Sequence, residues 1–155
     1  MKRLSSDQFK FMSAGQLKAM YPFDFDEDEE GPPTEMNIET FWDSKLMGSR
    51  AGFRRPEDLD LRGDAKTLYD SISSEGVRNP VQLVSTDLGP ILYHGHHRVA
   101  AAHDIDPSMM VPTEVVSLAD EGWETHEVKR KEHNQREFLR RREEMRAEAN
   151  WGEIE

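Results

Sequence analysis

The sequence predicts an α/β domain, and three observations carry that prediction. Val81–Val84 and Ile91–Tyr93 are short apolar runs on either side of a turn, Val99–Ala102 is a helix-forming stretch directly behind them, and Val111–Val116 returns as a strand. A chain of 155 residues, 35% hydrophobic and 33% charged, has room for one domain with a compact core and solvated extensions. Residues 1–50 are expected to be an N-terminal extension with an acidic linker and a helix. Residues 51–120 form the expected core, and residues 121–155 a long charged C-terminal helical segment.

Taken in order, Phe9, Phe11, Met12, Leu17 and Met20 make a short amphipathic pattern that Pro22 interrupts. Asp24, Asp26, Glu27, Asp28, Glu29 and Glu30 then run into Gly31-Pro32-Pro33, the composition of a linker or exposed loop. Ile38, Phe41, Trp42, Lys45 and Leu46 follow helical spacing, and the face made by Phe41, Trp42 and Leu46 needs a core to pack on. Leu59-Asp60-Leu61 alternates like a short strand. Gly63-Asp64 introduces a helix with the apolar stripe Ala65, Leu68, Tyr69 and Ile72, capped by Asp64 and closed by Gly76. Pro80 opens the first strand of a hairpin, and Asp87-Leu88-Gly89-Pro90 turns it into the second. A helix from about His96 to His103 stops near Asp106-Pro107. From Trp123 to Ala149 there is no Pro or Gly, and abundant Glu, Arg and Lys favour a long helix or a pair of helices. Val128, Phe138, Leu139 and Met145 are too sparse to bury all of it, so its end is solvated or meets a partner.

Charge narrows the function classes. A formal net charge of -11 argues against general attraction to DNA, whose nonspecific binding rests on neutralised phosphates. The charge is uneven, however. Lys129, Arg130, Lys131, Arg136, Arg140, Arg141, Arg142 and Arg146 crowd the C-terminal third, so the two ends of the chain are expected to attract each other. Arg140-Arg141-Arg142 is the candidate DNA contact, although Glu132, Glu137, Glu143 and Glu144 among these cations also describe a self-paired, solvated helix. The absence of cysteine removes disulfides, cysteine-ligated zinc and a thiol nucleophile. With no basic apolar leader and no apolar run of about 18 residues, neither export nor membrane spanning is indicated, and a cytoplasmic location is the expectation.

The join between Ile91-Leu92-Tyr93-His94 and the Ala-rich stretch is Gly95-His96-His97-Arg98. Glycine at a strand-to-helix junction allows a sharp turn, leaves the first helical N–H groups unpaired, and here places an arginine beside them. An anion there gains about 0.3–1 kcal/mol from the helix dipole and about 1.5–3 kcal/mol from a charge-assisted bond to Arg98. Phosphate is the natural ligand; the plain alternative is a tight turn with solvated histidines and Arg98 paired to an acid. His94 and His96, spaced i and i+2 on an extended segment, point the same way and can share a transition metal with a carboxylate. Centred on His94, His96 and Glu132, such a site would make a metal-dependent nuclease. His126 and His133 are expected at the surface.

Three segments in order carry a resemblance. Ile72-Ser73-Ser74-Glu75-Gly76-Val77-Arg78-Asn79-Pro80-Val81 is similar to a helix-Gly-x-x-Gln-Pro-Ile join, Gly95-His96-His97-Arg98-Val99-Ala100-Ala101 to a phosphate-binding Gly-x-x-Arg-x-x-Ala turn, and Glu132-His133-Asn134-Gln135-Arg136-Glu137 to a Glu-Asn-x-Gln-Arg-Glu motif. Together they resemble the N-terminal domain of the ParB family, the ParB/sulfiredoxin fold, over roughly half of the chain. The resemblance implies a small mixed sheet with flanking helices that holds a nucleoside triphosphate, with magnesium, against the glycine turn. It implies that Gly95, His97 and Arg98 surround phosphate and that Asn79 and Pro80 border the base or sugar. Asn134 and Arg136 would reach the phosphates, Glu132 would approach the metal, and His96 and Glu132 would stand in the catalytic positions. Two residues depart from the pattern: His96 replaces an acid tied to hydrolysis in the partition proteins, and His133 replaces a phosphate-binding asparagine. The sulfiredoxin branch needs a cysteine in the turn, which is missing. With neither a helix-turn-helix nor a dimerisation domain after the third motif, the expectation is a short, free-standing ParB-like protein of the kind labelled ParB-like nuclease domain in phages and plasmids. A contrasting expectation is a non-catalytic adaptor whose acidic arm and C-terminal helix bind another protein.

Overall fold

The computed structural model describes residues 10–51 and 67–154, with side chains described as far as Ala147. Its elements run β1 (Phe11–Ser13), α1 (Ala14–Lys18), α2 (Glu27–Glu30), α3 (Glu35–Arg50), α4 (Leu68–Glu75), β2 (Val81–Thr86), β3 (Gly89–His94), α5 (His96–Ile105), β4 (Met110–Val116) and α6 (Thr125–Ile154). The sheet has the order β1-β4-β2-β3 and is mixed, because β2 pairs parallel with β4 while β1–β4 and β2–β3 are antiparallel. An α/β domain with a small mixed sheet and flanking helices is therefore what the chain forms.

Local chemistry sets most boundaries. Ser13 and Gln16 close a capping box on α1, with Gln16 N–H donating to Ser13 Oγ at 3.1 Å and Ser13 N–H to Gln16 Oε1 at 2.9 Å. Thr34 caps α3 by accepting from Asn37 N–H at 3.2 Å. The helix expected to start at Asp64 begins at Leu68, where the hydroxyl of Thr67 accepts from Asp70 N–H at 3.0 Å. Asp64, Ala65 and the strand expected at Leu59–Leu61 lie outside the described residues. Gly76 ends α4 with φ at 76°, as its place in the sequence predicts. The β2–β3 hairpin turns over Asp87-Leu88, and the long charged segment forms one helix of 30 residues, not a pair.

Residues 10–51 are part of this core. β1 extends the sheet, Ala14 N–H donates to Met109 O at 2.9 Å, Gly15 N–H donates to Pro107 O at 2.8 Å, and Leu17, Phe41 and Trp42 are buried. The segment read as an acidic linker instead follows β3: Phe23 N–H donates to Leu92 O at 2.8 Å and Leu92 N–H to Tyr21 O at 3.2 Å. Tyr21, Phe23 and Phe25 alternate inward while Asp24 faces out, a period of two that the surrounding acids obscure. The helix α6 clamps this segment. Lys131 Nζ donates to Phe23 O at 2.6 Å and Phe25 O at 3.2 Å, and Arg130 pairs with Asp28 at 2.9 Å, so the oppositely charged ends do meet.

At the middle of the fold, Val99, Ala100, Ala101 and Ala102 on α5 are all buried. Their side chains let α1, α3 and α4 approach one helix from several sides. Where α5 begins, Gly95 has φ at 108°, and a Cβ added there would stand 2.5 Å from Val81 Cγ1. Gly95→Ala is expected to destabilise the fold by about 2–4 kcal/mol through left-handed strain and overpacking together. Gly76→Ala, strained at φ 76° but with nothing within 4 Å of the new Cβ, should cost about 1–2 kcal/mol. Urea unfolding of the two variants checks the difference.

Candidate anion-binding site at the Gly95 turn

The strand β3 delivers the chain to Gly95, and α5 starts behind it with no side-chain cap. Val99 N–H closes the first helical bond to Gly95 O at 2.9 Å, so the backbone N–H groups of the first turn stand at the positive end of the helix. The left-handed glycine stands at the positive end of the α5 dipole, a geometry that in general favours an anion.

The side chains around the turn adopt roles that the spacing did not disclose. Arg98 folds inward, where its Nη1 donates to Asn79 O at 2.8 Å and Pro80 O at 3.3 Å. The structure thus brings Asn79, Pro80, Gly95 and Arg98 together, but the guanidinium braces the loop before β2 instead of projecting into solvent. His97 lies against α3, where a Cβ on Gly48 would stand 2.9 Å from its ring.

His96 is enclosed, with its ring 5.7 Å from Phe41 and 5.9 Å from Trp42. Its Nδ1 lies 3.3 Å from Asp24 Oδ2, and Nε2 accepts a long bond from Asp24 N–H at 3.5 Å. A neutral imidazole protonated on Nδ1 satisfies both contacts. Burial depresses the His96 pKa, and the Asp24 carboxylate opposes this without overcoming it. Burial resists the charge on Asp24, yet the hydrogen bond from His96, with Lys45 and His94 nearby, holds its carboxyl at about 2. The side chain of Asp24 remains 46% exposed at the mouth of the turn. Sequence reasoning missed Asp24 because the partner is 72 residues away; the alternation of Tyr21, Phe23 and Phe25 was the available signal.

The third motif packs elsewhere. Gln135, between Asn134 and Arg136, accepts from the Thr86 hydroxyl at 2.8 Å and donates to Gly89 O at 3.2 Å, at the hairpin turn. Gly89 and Gly95 bracket β3, and a rise of roughly 3.3 Å per residue separates those ends by about 20 Å. Glu132 lines a hollow of about 450 Å³ with Thr86, Leu118, Trp123 and Lys131 at that far end. Asn134 is buried beside the Tyr21 hydroxyl, whose pKa burial raises while Asn134 opposes the rise, and Arg136 is exposed. Among the described residues, Glu132, Asn134 and Arg136 make no hydrogen bond or ion pair with Gly95, His96, His97 or Arg98.

Nor do His94, His96 and Glu132 form one ligand set. Among the described residues, Glu124, His126 and Glu127 are the group of three whose ligand atoms lie within 4.8 Å of one another, on the outer surface where α6 begins. His94 is exposed at the turn with its ring 4.1 Å from that of Tyr93. In the candidate DNA patch, Arg140 pairs with Glu137 at 2.7 Å and Glu144 at 2.6 Å, and Arg142 donates to Ala19 O, which is the self-paired pattern. No described helix is long and apolar enough to cross a membrane. Comparison with protein-family models, curated proteins and solved structures finds no match for this chain.

The His96–Asp24 pair makes a signed prediction. A histidine whose folded pKa lies below its ordinary value of about 6.5 stabilises the fold above that pH, and the contribution is lost as pH falls, because the unfolded chain takes the proton more readily. Asp24 has the same sign, but its contribution is lost only below the usual carboxylate range. Urea midpoints measured from pH 7.5 to 5 should therefore fall more steeply for the wild type than for His96→Phe.

Proposed function

We propose that this chain is a ParB-like nucleotide-binding domain that takes the phosphates of a magnesium–nucleoside triphosphate at the start of α5. The observation that carries the reading is the start of α5, a helix with no side-chain cap behind a left-handed glycine. The element order supports it, since α4, β2, β3, α5 and β4 follow one another as the resemblance implies. In this reading the N–H groups of His96, His97 and Arg98 hold phosphate, and His94 approaches from the exposed side. Arg98 fixes the loop carrying Asn79 and Pro80. The ionised Asp24 takes the part first assigned to Glu132, approaching the magnesium that accompanies the phosphates.

The reading is one of binding rather than hydrolysis. Both nitrogens of His96 are engaged by Asp24 and its ring is enclosed, so it is not presented to a ligand as a general base. Calorimetric titration with the four ribonucleoside triphosphates, with and without magnesium, should show saturable binding of at least one. His94→Glu, which sets a carboxylate beside the phosphates, should weaken that binding by about tenfold or more without unfolding the protein. Absence of binding to folded wild type, or equal binding by His94→Glu, would overturn the reading.

A further inference from the structure

Away from the Gly95 turn, α1, α3, the end of α5 and α6 enclose a hollow of about 500 Å³. That volume lies within the range of about 300–1,000 Å³ typical of small-ligand sites. Its origin is sequence-specific: Gly15 on α1 and Ala19 just after it send no long side chain across to Met145 on α6. Ile38, Trp42 and Phe138 provide an apolar floor.

The walls are cationic in a chain whose net charge is -11. Lys18, Arg141, Arg142 and Arg146 line the hollow together with His103, against the carboxylates Glu35 and Glu39. Among the described residues, no ion pair within 4.0 Å joins Glu35 or Glu39 to these cations. Arg141 has Glu137 at 4.0 Å and Arg146 has Glu143 at 3.7 Å, both long contacts within α6. Exposed pairs of this kind contribute little. Arg142 is fixed more firmly, since it donates to Ala19 O and lies 4.4 Å from the centre of the Phe138 ring.

Like charges crowd the same walls. Burial, and then the neighbouring Arg146, pull Arg142 below its ordinary range; burial, and then Lys18, do the same to His103 while Asp104 opposes. An anion seated here would relieve two repulsive contacts at once, and the apolar floor would cover its organic part.

We propose that this hollow binds a small amphipathic anion, a carboxylate or phosphate monoester, with its apolar body on Ile38, Trp42 and Phe138 and its head between Lys18, Arg141, Arg142 and Arg146. Trp42 lies between the floor of the hollow and His96, but none of Gly95–Arg98 lines the hollow, and the proposal stands independently of the nucleotide reading.

The test is calorimetric titration of the full chain with decanoate and phenyl phosphate, using decylamine as a probe with the same tail and the opposite charge. Two variants accompany the wild type: Arg141→Gln/Arg146→Gln removes charge from partly exposed positions, and Ala19→Phe fills the hollow from an exposed one. Circular dichroism confirms that each is folded. Saturable binding of at least one anion is expected, at least tenfold weaker in both variants, with no saturable binding of decylamine. Decanoate alone would mark an acyl ligand, and phenyl phosphate alone an aromatic phosphate. Failure of both anions to bind folded wild type, equal binding of decylamine, or affinity unchanged in the variants would overturn the proposal.

Discussion

Gly95 and Val81 approach so closely that a single added carbon would stand 2.5 Å from the valine, and much of the molecule follows from this contact. It lets α5 begin directly against β2, and it turns the first residues of the helix in directions fixed by the backbone. Arg98 then meets the carbonyls of Asn79 and Pro80, and His96 enters the aromatic enclosure of Phe41 and Trp42. Further along the same helix, alanines let α1, α3 and α4 close around it. One glycine thus links sheet packing, loop position and the direction in which α5 sets out.

The second constraint is the segment from Tyr21 to Phe25. It covers the outer edge of β3 through backbone hydrogen bonds and is itself held by Lys131 from α6. The half-buried Lys131 sets its ammonium on two carbonyls and 4.7 Å from the centre of the Phe23 ring, so one charge is held by hydrogen bonds and an aromatic face together. Asp24 sits on this segment and completes the partners of His96. The acidic block is therefore a structural strap whose exposed face remains strongly negative.

The hairpin, the glycine join, the helix behind it and the last strand were legible because each is a local pattern: apolar runs of strand length, a two-residue turn, and glycine before alanines. Long-range contacts were not. The Asp24–His96 pair spans 72 residues, and the composition around Asp24 hid an alternation that buries Tyr21, Phe23 and Phe25. For the same reason residues 10–51 read as an extension although they complete the sheet and the core. Of the candidate site, the spacing of Gly95 and Arg98 located the turn, but it did not reveal which way Arg98 faces. Motif order likewise placed Glu132 beside the turn, whereas Gln135 fastens that part of α6 to the hairpin's opposite end. A motif records which residues occur in sequence, and only the packing decides whether they share a ligand.

The central claim is that the first turn of α5 receives phosphate through its backbone. The most direct measurement is a nitrogen–proton correlation spectrum of the labelled protein, followed as a magnesium–nucleoside triphosphate is added. The account predicts that the largest amide shifts fall at His96, His97 and Arg98 and saturate together. Shifts centred on Lys18 and Arg141–Arg146, or on the hollow around Glu132, with the α5 amides unmoved, would contradict it.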